Sequence, residues 1–129
     1  MKQLQPAGWP RPKGYSNGIA VRGEQVYLAG LVGWDAEGRF PKGLTAQFRR
    51  TLENIVAVLA EAEARPEHIV RMTWYVTSRD DYLAQAQDIG AIYREIIGKH
   101  FPVMAVVQVV ALMEAEAEVE IEVTAVIPD

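Results

Sequence analysis

Cysteine is absent from the chain, which excludes a disulfide framework, a thiol nucleophile and a thiolate metal site. Histidine occurs only at His68 and His100. Neither has carboxylate or cysteine partners at metal-ligand spacing, so both are read as structural or surface residues and no metal site is expected. Positive charge is sparse: Lys and Arg number 13 against 17 Asp and Glu, and the net charge is -4. The only short basic cluster is Arg49-Arg50, and without a basic stripe no nucleic-acid partner is expected. No apolar run approaches the roughly 20 residues of a membrane span. The opening Met-Lys-Gln-Leu-Gln-Pro lacks the apolar core of a signal peptide. The expectation is a cytoplasmic protein with no membrane partner. Gly-x-Ser-x-Gly, phosphate-loop and dinucleotide fingerprints are missing as well, and no cofactor is expected.

What is present is a chain of 129 residues, 50% apolar, the size of one domain with one core. The stretch from Phe101 to Ile127 organises it. Val103 to Leu112 is apolar almost without a break, and Glu118 to Val126 alternates strictly. Successive side chains of a strand point to opposite faces. Val119, Ile121, Val123 and Ala125 therefore share a buried face, and Glu118, Glu120, Glu122 and Thr124 the other. The Glu-Ala-Glu-Ala-Glu segment at 114–118 reads as a hairpin loop between these two strands.

Upstream, residues 1–14 hold Pro6, Pro10, Pro12, Gly8 and Gly14 and read as an irregular arm, leaving 15–129 as a single domain. Ile19–Arg22 and Gln25–Ala29 read as strands joined by a Gly23-Glu24 hairpin turn. Leu44, Phe48, Leu52, Ile55, Val56 and Leu59 form the apolar stripe of a helix over about Thr45 to Ala62, stopped by Arg65-Pro66. Ile69–Thr77 is a strand with Met72, Trp74 and Val76 on one face. A second helix is expected from about Tyr82 to Ile97, its inner stripe being Ala86, Ile89, Tyr93, Ile96 and Ile97, closed by Gly98. The order is β-β-α-β-α-β-β, which predicts an α+β fold, a two-layer sandwich with helices on one sheet face. The other face also carries apolar residues, Val107 and Val109 or their alternates Val106 and Val110, so self-association is expected to cover it.

Five pieces then stand in a telling order: Gly14-Tyr15-Ser16, Leu28-Ala29-Gly30, Leu52-Glu53-Asn54-Ile55, Phe101-Pro102 and Val119-Glu120-Ile121-Glu122-Val123-Thr124-Ala125. With them the chain, from Tyr15 to Ala125, resembles the Rid/YjgF family of imine and enamine deaminases, formerly labelled L-PSP endoribonucleases. The resemblance implies a chorismate-mutase-like homotrimer (Bacillus type), its sheets forming a central barrel, with three clefts between neighbouring subunits. It implies hydrolysis of a reactive imine or enamine, such as 2-aminoacrylate, to a carbonyl compound and ammonia. In the family an arginine two residues after the Phe-Pro proline grips the substrate carboxylate. Here that position is Met104, which offers no bidentate fork. A carboxylate held against Met104 and Val106 alone would be desolvated and unpaired. The resemblance therefore implies a substrate other than 2-aminoacrylate, for which a ring-cleavage product of aromatic catabolism is one candidate. Arg11, Arg22 or Arg71 of a neighbouring subunit remain alternative cations.

Carried over residue by residue, Tyr15 is the cleft tyrosine and Glu120 the glutamate that holds a water, giving two catalytic positions. Gly30 offers its backbone N–H, and Gly30, Leu31, Met104 and Val106 are the substrate-binding positions. On pattern alone Glu120 is one of three carboxylates on a solvated strand face, and Met104 is ordinary apolar packing. Two other readings accompany the deaminase: a non-catalytic ligand-binding or regulatory trimer, favoured by loss of the arginine, and a ribonuclease, which an acidic chain without a catalytic histidine pair supports little.

Overall fold

The computed structural model describes residues 1–129. Its elements in chain order are β1 Lys2–Gln3, β2 Ile19–Ala20, β3 Gly23–Tyr27, β4 Leu31–Val32, α1 Leu44–Ala60, β5 Ile69–Val76, α2 Arg79–Ala84, α3 Ala86–Ile96, β6 Val103–Gln108 and β7 Val119–Pro128. The strictly alternating β7 is the longest strand. It pairs antiparallel with β5 along one edge and with β3 and β4 along the other. The mixed sheet runs β3-β7-β5-β6, with β6 parallel to β5 and at the free edge.

The alternation translates directly into two faces. Met72, Trp74 and Val76 of β5 lie beside Val123, Ile121 and Val119 of β7. All six are buried in one cluster with Phe48, Leu52, Ile55 and Leu59 of α1 and Ile89 and Tyr93 of α3. The fold is thus α+β, with α1 and α3 packed on one side of a mixed sheet. No helix is long and apolar enough to cross a membrane. On the open face Tyr75 of β5 donates a hydrogen bond to Glu122 of β7, at 2.7 Å. That contact pushes the Tyr75 phenol up, with burial and the Glu120 charge acting in the same direction.

Three local expectations are corrected. Gly23-Glu24 is not a hairpin turn: β2 pairs with β1 of the N-terminal arm, and Gly23 opens β3 opposite Pro128. The glycine is needed because β7 passes so close that a Cβ would lie 1.9 Å from the Ile127 carbonyl oxygen, at a φ of 149°. Residues 114–118 are not a hairpin loop either. β5 lies between β6 and β7, so the segment carries the chain across it. The expected helix from Tyr82 to Ile97 is two helices that bend at Gln85 (φ -108°, ψ 12°). The first starts earlier because Ser78 caps it, its hydroxyl accepting from the Asp81 N–H at 3.1 Å. Of the two apolar sets expected on the open face, register selects one: Met104 and Val106 lie on the helix side beside Met72 and Trp74, and Val103, Ala105 and Val107 point outward.

One buried polar residue ties the sheet to the helix. Gln47 of α1 is 2% exposed. Its Nε2 donates to the carbonyls of Pro41 (3.2 Å) and Glu116 (2.9 Å), and its Oε1 accepts from the Glu118 N–H at 2.8 Å. Gln47→Ala leaves backbone groups at the start of β7 unpaired beneath α1. The expected cost is about 2–4 kcal/mol, read as a lower urea midpoint at unchanged slope.

Candidate functional site

Two of the five motif pieces meet at the free edge of the sheet. The Ser16 N–H donates to the Pro102 carbonyl at 3.0 Å and its hydroxyl donates to the Phe101 carbonyl. Ser16 also bridges in parallel to Val103. These bonds explain why Gly14-Tyr15-Ser16 and Phe101-Pro102 occur together: one clamps the other, and the clamp brings Tyr15 to the side of β6 from which Met104 and Val106 project.

The result is a cavity of about 420 Å³. Its floor is Trp74 of β5 with Met104 and Val106 of β6, and its far wall is Tyr82, Ala86, Ile89, Gly90 and Tyr93 of the helices. Phe101, Gly14 and Tyr15 close one side, and Lys13 and Arg94 stand in the lining as its only cations. The aromatic rings are mutually packed, with Trp74 centroids 6.4 Å from Tyr82 and 6.0 Å from Tyr93. The Tyr93 hydroxyl donates to the His100 carbonyl at 2.7 Å. Burial pushes the Tyr82 and Tyr93 phenols up, so both are neutral. Trp74 Nε1 is buried without an acceptor. This volume and largely apolar lining suit a small organic ligand.

The remaining motif pieces build a second cluster. Asn54 of α1 donates through Nδ2 to the carbonyls of Val32 (3.0 Å) and Trp34 (2.9 Å), which holds the loop after Leu28-Ala29-Gly30 against the helix. β4 then pairs Leu31 with Ile121 and Val32 with Glu120. Gly30 sits directly against the Glu120 carboxylate: a Cβ there would be 2.4 Å from Oε2. A side chain at position 30 would push that carboxylate away.

Of the expected site residues, then, Tyr15, Met104 and Val106 share the cavity, whereas Gly30 and Glu120 meet each other elsewhere on the sheet. Leu31 is half-buried and packs against the core. Residues 15, 104 and 106 line one cavity, and Glu120, on the sheet face opposite Met104, is not part of it. Sequence reasoning missed Lys13, Arg94, Trp74, Tyr82 and Tyr93 as cavity residues. Arg94 was legible in principle, because Ala86, Gly90 and Arg94 recur every four residues and so share one strip of α3. The two histidines are structural, as expected: His68 Nδ1 accepts from the Arg65 N–H at 2.9 Å, and His100 Nε2 lies 2.6 Å from the Ile69 carbonyl oxygen.

The family model described as Endoribonuclease L-PSP matches residues 10–127. Among curated proteins the chain is 29% identical to RutC family protein UK114 of Drosophila melanogaster, over 92% of this chain and 86% of that one. Among solved structures it is similar to YyfB, of the conserved Rid protein family of Yersinia pestis. That likeness has a TM-score of 0.81 and 31% identity over 98% of both chains. It is also similar to Escherichia coli TdcF with bound serine, with a TM-score of 0.70 and 26% identity over 98% of this chain and 99% of that one.

Proposed function

The chain belongs to the Rid/YjgF family, and from that premise we propose that it hydrolyses a reactive imine or enamine to a carbonyl compound and ammonia. The observation that supports this most is the Glu120 carboxylate seated on Gly30, where the space for a Cβ has been given up to it. Water adds to the imine carbon, the carbon–nitrogen double bond becomes a carbinolamine, and the amine nitrogen leaves as ammonia while the carbonyl forms. An enamine first takes a proton at carbon and gives one up from nitrogen to become the imine. Glu120 orients the water, accepts its proton and returns it to the departing nitrogen. The Gly30 N–H and the Tyr15 hydroxyl hold the substrate. An imine is already electrophilic, so placement supplies most of the acceleration.

Tyr15 and Met104 on one side and Glu120 on the other are parts of one site only if different copies supply them. We propose a homotrimer in which the cavity of one subunit faces the Glu120–Gly30 cluster of the next. The free β6 edge, with Val106 and Val107 exposed, supports this, because an uncovered apolar edge strand invites pairing. Light scattering at micromolar concentration is expected to give three times the mass of one chain, and a monomer would refute the assembly.

The activity is tested by ammonia release from imines generated in place by an amino-acid oxidase. Acceleration over buffer is expected for at least one substrate. No acceleration with any member of the panel refutes the deaminase. Met104, where the family arginine stands in relatives, favours a second reading, a ligand-binding trimer without turnover. Met104→Arg separates the two: gain of 2-aminoacrylate hydrolysis means the remaining machinery is intact.

A further inference from the structure

We propose that Arg94, with Lys13 in the same cavity lining, has taken over the carboxylate recognition that Met104 cannot perform, and that this cavity selects imino acids with a bulky apolar side chain. This rests on the deaminase reading for the word imino; the recognition of an apolar carboxylate stands without it.

Three observations carry it. First, charge: the chain is net -4, yet the lining of this cavity holds two cations and no acid. The ion pairs of the chain engage Arg39, Arg49 and Arg65, and neither Arg94 nor Lys13 takes part in them. Second, placement: the Arg94 guanidinium folds back along α3, its Nη1 3.4 Å from where a Gly90 Cβ would stand. The planar fork thus lies over Gly90, another residue of the cavity lining. Such a fork suits the two oxygens of a carboxylate. Third, depth: Met104 and Val106 leave the floor apolar beside Trp74, with Tyr82 in the wall. An acid group at the rim and a ring or branched chain on the floor satisfies both ends, which a two-carbon substituent does not.

The test uses calorimetric titration of the intact protein with phenylacetate, phenylacetamide and acetate, alongside ammonia release from the imines of phenylalanine and alanine. Phenylacetate is expected to bind about 10- to 100-fold more tightly than the uncharged amide, the size of a charge-assisted hydrogen bond, and more tightly than acetate. Arg94→Gln is expected to erase the preference over the amide, and Arg94→Lys to restore part of it. Arg94 is exposed, so these variants fold. Wild-type affinity for phenylacetate in Arg94→Gln, or equal binding of acetate and phenylacetate, overturns the proposal. Charge-dependent binding with no ammonia from either imine would refute the deaminase and leave the assignment of Arg94 standing. Faster turnover of the alanine imine than the phenylalanine imine would refute the size selection.

Discussion

Glu120→Gln is expected to slow imine hydrolysis by about 10²- to 10⁴-fold, the range for loss of a positioned acid–base group. Glutamine keeps the shape and the hydrogen-bonding reach but cannot accept the proton of the attacking water. The side chain stands half-exposed on the open sheet face, so the thermal midpoint should move little. Gly30→Ala approaches the same atom from the other side. Its methyl would lie 2.4 Å from Oε2 and 2.9 Å from Cδ of Glu120, so the carboxylate has to swing away and a comparable loss of kcat/KM should follow. Initial rates of ammonia release, with circular-dichroism melting curves as the control for folding, check both. A Glu120→Gln protein within about threefold of wild-type rate would remove Glu120 from the chemistry, since that is far below the acid–base range.

Phe48→Ala is the substitution with the largest expected effect on stability. Phe48 is 1% exposed and its ring packs 4.9 Å, centroid to centroid, from Trp74. It is the contact through which α1 rests on the centre of the sheet. Truncation loses the transfer free energy of the ring and leaves a hole that flanking Leu52 and Trp74 can only partly fill. The expected cost is about 3–5 kcal/mol, a large part of the roughly 5–15 kcal/mol that holds a domain of this size together. Urea unfolding would measure it. A loss under about 1 kcal/mol would mean that the site collapses without strain. Because Trp74 is also the cavity floor, ligand binding should weaken in the same variant.

The buried faces were legible because strand and helix periodicity is a local property. Val119, Ile121, Val123 and Ala125 are buried, as their two-residue repeat requires, and Phe48, Leu52, Ile55 and Leu59 are buried in α1 as the helical repeat requires. Where the reading failed, the deciding partner lay far away in the chain. The role of Gly23 depends on the Ile127 carbonyl. The fate of residues 114–118 depends on β5 coming between two strands that are neighbours in sequence. The early start of the second helix is the local exception, set by a Ser78 cap that no apolar pattern reports.

The same division runs through the site. Hydrophobic periodicity, by itself, determined the α+β class, and the order of the motifs the family. The resemblance to that family marked Tyr15, Gly30, Met104 and Glu120 as the positions to watch, with methionine where the arginine is expected. Only the folded chain decided that Tyr15 and Met104 line one cavity which Glu120 does not, and that Arg94 and Lys13 line it too. Side-chain spacing says which way a residue points from its own backbone, but which residues face one another across a cavity is settled by how strands and helices distant in sequence pack together.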